Sequence, residues 1–121
     1  MEPKKLCPEL AVDKQITPED VAEAKAQGFR SIINNRPDAE EPGQPTSAEI
    51  AEAARKAGLA YVHIPVVPGQ IGEADVAAFD KALETLPHPI LGFCRTGTRA
   101  SMLWALCRCG SEGPDAVCDT A

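Results

Sequence analysis

The chain has no long apolar run, no excess of basic residues and almost no histidine, and each absence excludes a class of protein. The longest apolar stretches, residues 89–94 and 102–107, fall far short of the roughly 20 residues that a bilayer-spanning helix needs. Eighteen Asp and Glu outnumber twelve Lys and Arg, leaving a net charge of −6. That balance argues against a nucleic-acid binder, which releases phosphate counterions through a basic face, and against docking on anionic lipid. The first ten residues, MEPKKLCPEL, lack the apolar core of a secretory signal. A cytoplasmic protein with no nucleic-acid or membrane partner is the expectation.

Metal chemistry also lacks its usual signs. The five cysteines, Cys7, Cys94, Cys107, Cys109 and Cys118, are an odd set with no CxxC, and His63 and His88 are the only histidines. A secreted disulfide framework would show an even, spread set. The spacing of Cys107, Cys109 and Cys118 is not that of a zinc knuckle and no fourth ligand is near, so neither metal nor cofactor is expected. On a helix, the Cys107 and Cys109 side chains diverge by about 200° and do not readily bond. Cys118 would serve as a resolving thiol only if the tail folds back.

The chain has 121 residues, 44% apolar and 25% charged. That is one soluble domain's worth, typically about 100–200 residues, with enough chain to bury a core. Short apolar runs alternate with helical patterns and no repeat appears. Residues 10–12 suggest a short strand. Thr17-Pro18-Glu19-Asp20 reads as a helix start, with Thr17 as N-cap and Pro18 at the first helical position, and Gly28 as its stop. Residues 30–34 read as a buried strand. Residues 35–45, NRPDAEEPGQP, are a loop. Thr46-Ser47-Ala48-Glu49 is a capping box that opens a helix over 47–57. A strand over 60–67, an amphipathic helix over 73–86, a fully apolar strand over 90–93 and a helix from about 99 to 108 follow. The resulting α/β order implies a mostly parallel sheet flanked by helices. Ligands of such sheets bind beyond the carboxyl ends of the strands.

The chemistry gathers at one such end, in Phe93-Cys94-Arg95-Thr96-Gly97-Thr98-Arg99-Ala100-Ser101. A cysteine ends a buried strand, four residues turn, and Arg99 begins a helix. The N–H groups of such a turn form an anion-binding nest, reinforced by the helix N-terminus. The same field, with Arg95 and Arg99, favours a thiolate on Cys94, and Gly97 permits the turn. Thr98 or Ser101 is placed to hydrogen-bond the sulfur. A buried structural cysteine is the plainer reading, but Arg-x-Gly-x-Arg directly after it favours a nucleophile.

Cys-Arg-Thr-Gly-Thr-Arg resembles the active loop of rhodanese sulfurtransferases, whose cysteine carries a persulfide. The segments around it resemble the dual-specificity tyrosine phosphatases. SIINNRPD, EEPGQP, AGLAYVHIPV and CRTGTR together resemble the bacterial beta-lactamase-hydrolase-like family with a phosphatase-like domain, over about residues 6 to 114. The resemblance implies a tyrosine-phosphatase-like three-layer α/β fold. Members are described both as phosphatase-like and as sulfur transferases, and some are fused to a metallo-beta-lactamase-like sulfur dioxygenase, which the resemblance therefore implies as a partner. One domain over 1–121 is expected, with a tail from about 111 that is shorter than the family pattern and expected to be disordered.

Three departures from the phosphatase pattern bear on the reaction. Four residues rather than five separate Cys94 from Arg99. Phe93 stands where phosphatases usually have His, and Pro68 stands where their acidic Asp follows the I-P-V strand. Expelling an alkoxide or phenoxide needs protonation worth roughly 10²–10⁴ in rate, which Asp38, Glu73 or Asp75 would have to supply by another route. Sulfite or a thiolate leaves as a stable anion without such help. The sequence therefore points first to sulfur transfer through a Cys94 persulfide, from a small anionic sulfur donor to a thiol acceptor. Phosphate monoester hydrolysis through a phosphocysteine is the alternative, and a non-catalytic anion-binding module the third reading.

Other residues carry weaker signals. Arg36, after Asn34 and Asn35, either adds a cation to the site or bridges to Asp38 or Glu40. His63 reads as a satisfied interior histidine and His88 as loop surface. Gln44 and Gln70 read as pocket rim or as solvated loop. Leu103 and Trp104 read as packing on the sheet.

Overall fold

A computed structural model of the chain describes residues 3–7, 9–38, 40, 42–67, 71–97 and 101–105. The elements are β1 (Lys4–Cys7), β2 (Leu10–Asp13), α1 (Pro18–Ala26), β3 (Ser31–Asn34), α2 (Ser47–Ala57), β4 (Ala60–His63), α3 (Glu73–Thr85) and β5 (Ile90–Phe93), with residues 101–105 also helical. Among these residues the sheet order is β1-β2-β5-β3-β4. The β2, β5, β3 and β4 strands run parallel, and β1 is antiparallel to β2.

Local sequence accounts for the helix starts. The Thr17 hydroxyl accepts the Asp20 N–H at 3.2 Å, and the Asp20 carboxylate accepts the Thr17 N–H at 3.0 Å. Thr46 and Glu49 repeat the exchange at α2. Each box satisfies donors that a helix N-terminus otherwise leaves open. At its other end α2 stops at Gly58, whose φ of +79° is a left-handed conformation that other residues adopt at a cost.

Strand alternation sends the apolar side chains to two cores. Ile32, Leu91 and Phe93 pack with Val21 and Ala24 of α1 and Ile50 and Ala54 of α2. Leu10, Val12, Ile33 and Ile90 pack on the other side with Phe79, Ala82 and Leu83 of α3 and with Leu103 and Trp104. The three-layer, mostly parallel architecture is therefore as expected. No helix among the described residues is long and apolar enough to cross a membrane.

Two expectations need correction. The β1 strand was not foreseen: KKLC has no apolar alternation, and its order comes from pairing with the edge of β2. The strand expected over 60–67 ends at His63. Pro65 has no N–H to donate, and beyond His63 the chain bonds β3 irregularly, Ile64 N–H to Asn34 O at 2.8 Å and Val66 N–H to Asn35 O at 3.0 Å. The helix expected from about 99 to 108 is described only over 101–105.

For the site, the decisive feature is that β5 lies between β2 and β3. In the ladder Phe93 pairs with Asp13 on one side and Asn34 on the other. Cys94 therefore emerges in the middle of the sheet's carboxyl edge, flanked by the residues that follow β2 and β3.

Candidate active site

Cys94 is fully buried and directly follows β5. Its N–H donates to the Asp13 carbonyl at 3.4 Å, which prolongs the β2–β5 ladder by one bond. The chain then turns back, and the Gly97 N–H points at the Cys94 sulfur with N···Sγ 3.0 Å. A buried sulfur that receives a main-chain N–H is in surroundings that complement negative charge. Gly97 has φ +93°, and a Cβ there would stand 3.3 Å from the Asp13 carbonyl oxygen. Both the backbone angle and the close approach require glycine.

The far end of the turn is fastened to the helix that follows. Ser101 N–H donates to Gly97 O at 3.1 Å, and the Ser101 hydroxyl donates to the same oxygen at 3.0 Å. Of the two hydroxyls expected near the sulfur, that of Ser101 donates to the Gly97 carbonyl instead, an acceptor one helical turn back. Arg95 and Thr96 are exposed. Thr98 and Arg99 lie outside the described residues, as do Pro68, Gln70, Cys107, Cys109, Cys118 and the tail.

Two braces hold this turn from the flanking strands. On the β3 side, Asn35 N–H donates to Phe93 O at 2.9 Å, and the Asn35 amide donates to Ile64 O at 3.0 Å. On the β2 side, Gln15 N–H donates to Arg95 O at 3.3 Å. Arg36 joins the two sides. It is only 2% exposed; its Nε–H donates to the Glu40 carboxylate at 2.8 Å, and its NH1 donates to Gln15 Oε1 at 3.1 Å. Of the two bridges expected for Arg36, the one to Glu40 is formed.

The loop over 35–45 is likewise tied down by its own side chains. Gln44 accepts the Glu40 N–H at 3.0 Å and donates to Pro37 O at 2.9 Å, so it cross-links the loop from within. His63 Nε2 meets Arg36 O at 2.8 Å, a satisfied histidine as expected. His88 lies exposed in the loop before β5, as expected, and its ring meets Leu83 O at 2.7 Å. The Asn34 amide donates to the Tyr61 hydroxyl at 3.0 Å, and Ser47 Oγ lies 2.6 Å from the same oxygen. Burial pushes the Tyr61 phenol above its ordinary range, and the Ser47 and Asn34 bonds partly offset this.

Residues 3–111 match the model of the beta-lactamase hydrolase-like protein, phosphatase-like domain. The chain belongs to this phosphatase-like domain family. The beta-lactamase hydrolase-like protein of Xylella fastidiosa (strain Temecula1) is 46% identical over 97 residues, 80% of this chain and 22% of that protein. The chain thus spans about a fifth of the length of that curated relative. A candidate phosphatase of Neisseria meningitidis is 37% identical, with TM-score 0.83 over 91% of this chain and 78% of that one. P. aeruginosa TpbA, solved in complex with phosphotyrosine, shares the fold at 16% identity and TM-score 0.68, over 92% and 64% of the two chains.

Membership of the phosphatase-like domain family shifts the weight between the two reactions read from the sequence. The family and its solved relatives back the phosphatase alternative rather than sulfur transfer. The fold also explains why Phe93 stands before the cysteine: its ring fills the core between the sheet and α1–α2. Two of the three carboxylates considered as proton donors are engaged in helix starts. Asp38 Oδ1 accepts the Ser47 N–H at 2.7 Å, and Asp75 Oδ2 accepts the Gly72 N–H at 3.0 Å. Glu73 is exposed at the start of α3.

Sequence reasoning missed Asp13 and Gln15. Neither carries a motif, and only the insertion of β5 beside β2 brings their backbones against the cysteine turn. The weak signal available was their position just past a parallel strand.

Proposed function

We propose that the domain hydrolyses phosphate monoesters through a phosphocysteine at Cys94. The observation that carries this reading is the buried Cys94 sulfur with the Gly97 N–H upon it at 3.0 Å, in a chain of the phosphatase-like domain family. Arg95, Thr96, Gly97, Thr98 and Arg99 form the anion cradle, and Arg99 supplies the charge that stabilises the equatorial oxygens. The Cys94 thiolate attacks phosphorus; a P–S bond forms, the ester P–O bond breaks, and the leaving oxygen takes its electron pair and then a proton. Water next attacks phosphorus, the P–S bond breaks, and inorganic phosphate and the thiolate are released.

Pro68 in place of the acid, with Asp38 and Asp75 engaged at helix starts, favours esters whose leaving group departs with little protonation. Aryl phosphates, phosphotyrosine included, are the substrate class. The test is turnover of a series of aryl and alkyl phosphates, with mass spectrometry of the quenched enzyme. Expected are rates that fall steeply as the leaving group becomes more basic, and a phosphoryl adduct on Cys94. An alkyl phosphate turned over as fast as the aryl ones would overturn the leaving-group reading.

The four-residue spacing from Cys94 to Arg99 is the feature that favours the second reading, sulfur transfer, with a small anionic sulfur donor, a thiol acceptor and a sulfur dioxygenase as partner. Incubation with thiosulfate that adds one sulfur atom to Cys94, with no turnover of any phosphate ester, would replace the phosphatase by it.

A further inference from the structure

Arg36 is buried on the side of the sheet edge where the cysteine turn lies, and one of its side-chain contacts runs toward the turn through Gln15. The guanidinium donates to Glu40 on one side and to the Gln15 side chain on the other. The Gln15 main-chain N–H donates to the Arg95 carbonyl, the first carbonyl of the turn after Cys94. A trans peptide is planar, so its C=O and N–H point in opposite directions. Drawing the Arg95 carbonyl toward Gln15 therefore aims the Thr96 N–H away from Gln15. Arg36 is itself fixed at both main-chain ends: its N–H donates to Asn34 Oδ1 at 2.8 Å, and its carbonyl meets His63 at 2.8 Å. A long cationic side chain that is 2% exposed has lost its hydration and rotamer freedom, which is a cost that a merely solvated loop arginine avoids.

We infer that Arg36 is a positioning residue that sets the oxyanion-binding turn through Gln15, rather than a ligand of the oxyanion. The inference rests on the reading of the turn as an anion cradle and extends it. Arg36, read from the sequence as either a cation of the site or a bridge to Asp38 or Glu40, thus acts on the site one residue removed, by holding Gln15 against the Arg95 peptide.

The test is protection of Cys94 against alkylation by graded tungstate, in wild type, Arg36→Met, Gln15→Met and the double variant, with aryl phosphate kinetics and melting curves beside it. Each single variant is expected to weaken tungstate protection about tenfold, the cost of one hydrogen bond to a charged group, and to lower kcat with a smaller change in KM. The double variant is expected to be no worse than either single one, because both break the same link. Loss of protection in Arg36→Met with none in Gln15→Met would make Arg36 a direct ligand and overturn the inference. Lower melting temperatures with unchanged protection would reduce both residues to structural ones and overturn it too. Protection without any turnover in the wild type would remove the phosphatase reading and leave the brace standing. No protection in the wild type would remove the cradle and the brace together.

Discussion

The two ends of the parallel sheet are built from different chemistry. At the amino end, main-chain bonds close the joints: Ile90 N–H to Glu9 O at 2.7 Å, Arg30 N–H to Pro89 O at 2.9 Å and Ala60 N–H to Arg30 O at 3.1 Å. Ser31 adds its hydroxyl, which donates to Pro87 O at 2.7 Å. At the carboxyl end buried polar side chains join the main-chain bonds: Asn34 donates to the Tyr61 hydroxyl, Asn35 to Ile64 O and Arg36 to the Gln15 side chain. A buried polar group left without its partner costs about 1–3 kcal/mol. Apolar packing would be the safer way to hold an edge. Among the described residues the Asn35 side-chain oxygen is buried with no hydrogen-bond partner. The amino end is organised for stability, and the carboxyl end spends stability on placing Cys94 and its turn.

Five substitutions test that contrast. Cys94→Ser is expected to lower aryl phosphate turnover by more than about a thousandfold, the scale seen when a covalent nucleophile is removed. Calorimetry should find its melting temperature close to that of the wild type. A variant that keeps its turnover would mean that the carboxyl end is not the catalytic end. Ile90→Ala, at the amino end of β5 and fully buried, should cost about 2–5 kcal/mol in denaturant unfolding. Its turnover per folded molecule should hold at low temperature, and a parallel loss of activity would show that the two ends are not separable.

Gly97→Ala should show the reverse balance. The backbone conformation and the approach to Asp13 add about 1–3 kcal/mol of strain, and relieving it moves the N–H off the sulfur. Turnover is expected to fall about tenfold to a hundredfold with a modest loss of stability, read from kinetics and melting curves on one preparation. Ser31→Ala should cost about 1 kcal/mol of stability and leave kinetics untouched.

Tyr61 sharpens the comparison through pH. Its phenol is held above the ordinary range, mainly by burial. As pH rises past about 10, the unfolded chain releases a proton that the folded chain keeps. Stability therefore falls with pH in that window, and is fully present below it. Tyr61→Phe should flatten the alkaline limb of a melting-temperature profile relative to the wild type. An unchanged alkaline limb would show that burial of Tyr61 does not hold the phenol protonated.

What was legible in the sequence was what depends on neighbours a few residues apart. The two capping boxes at Thr17 and Thr46 start α1 and α2 where they should, because cap and partner are three residues apart and need no tertiary contact. The cysteine turn was legible for the same reason: Cys94, Gly97 and Ser101 lie within one strand end and one helical turn. The β1 strand was not legible, since Lys4 and Lys5 show no buried face and their order depends on the edge of β2. The bonding of Ser101 also escaped, because a hydroxyl takes whichever acceptor the fold sets beside it, here the Gly97 carbonyl.

The amino-acid order alone determined the helices, the apolar strands and the presence of a cysteine before a glycine-bearing turn, since propensity, capping and periodicity act over a few residues. Folding decided which strands flank that cysteine. Burial of two apolar faces placed β5 between β2 and β3, and with it brought Asp13, Gln15, Asn35 and Arg36 from as many as 81 positions away in the numbering to one edge. Their roles come from that packing, because a backbone carbonyl or a glutamine side chain carries no chemical signature until a partner is set against it.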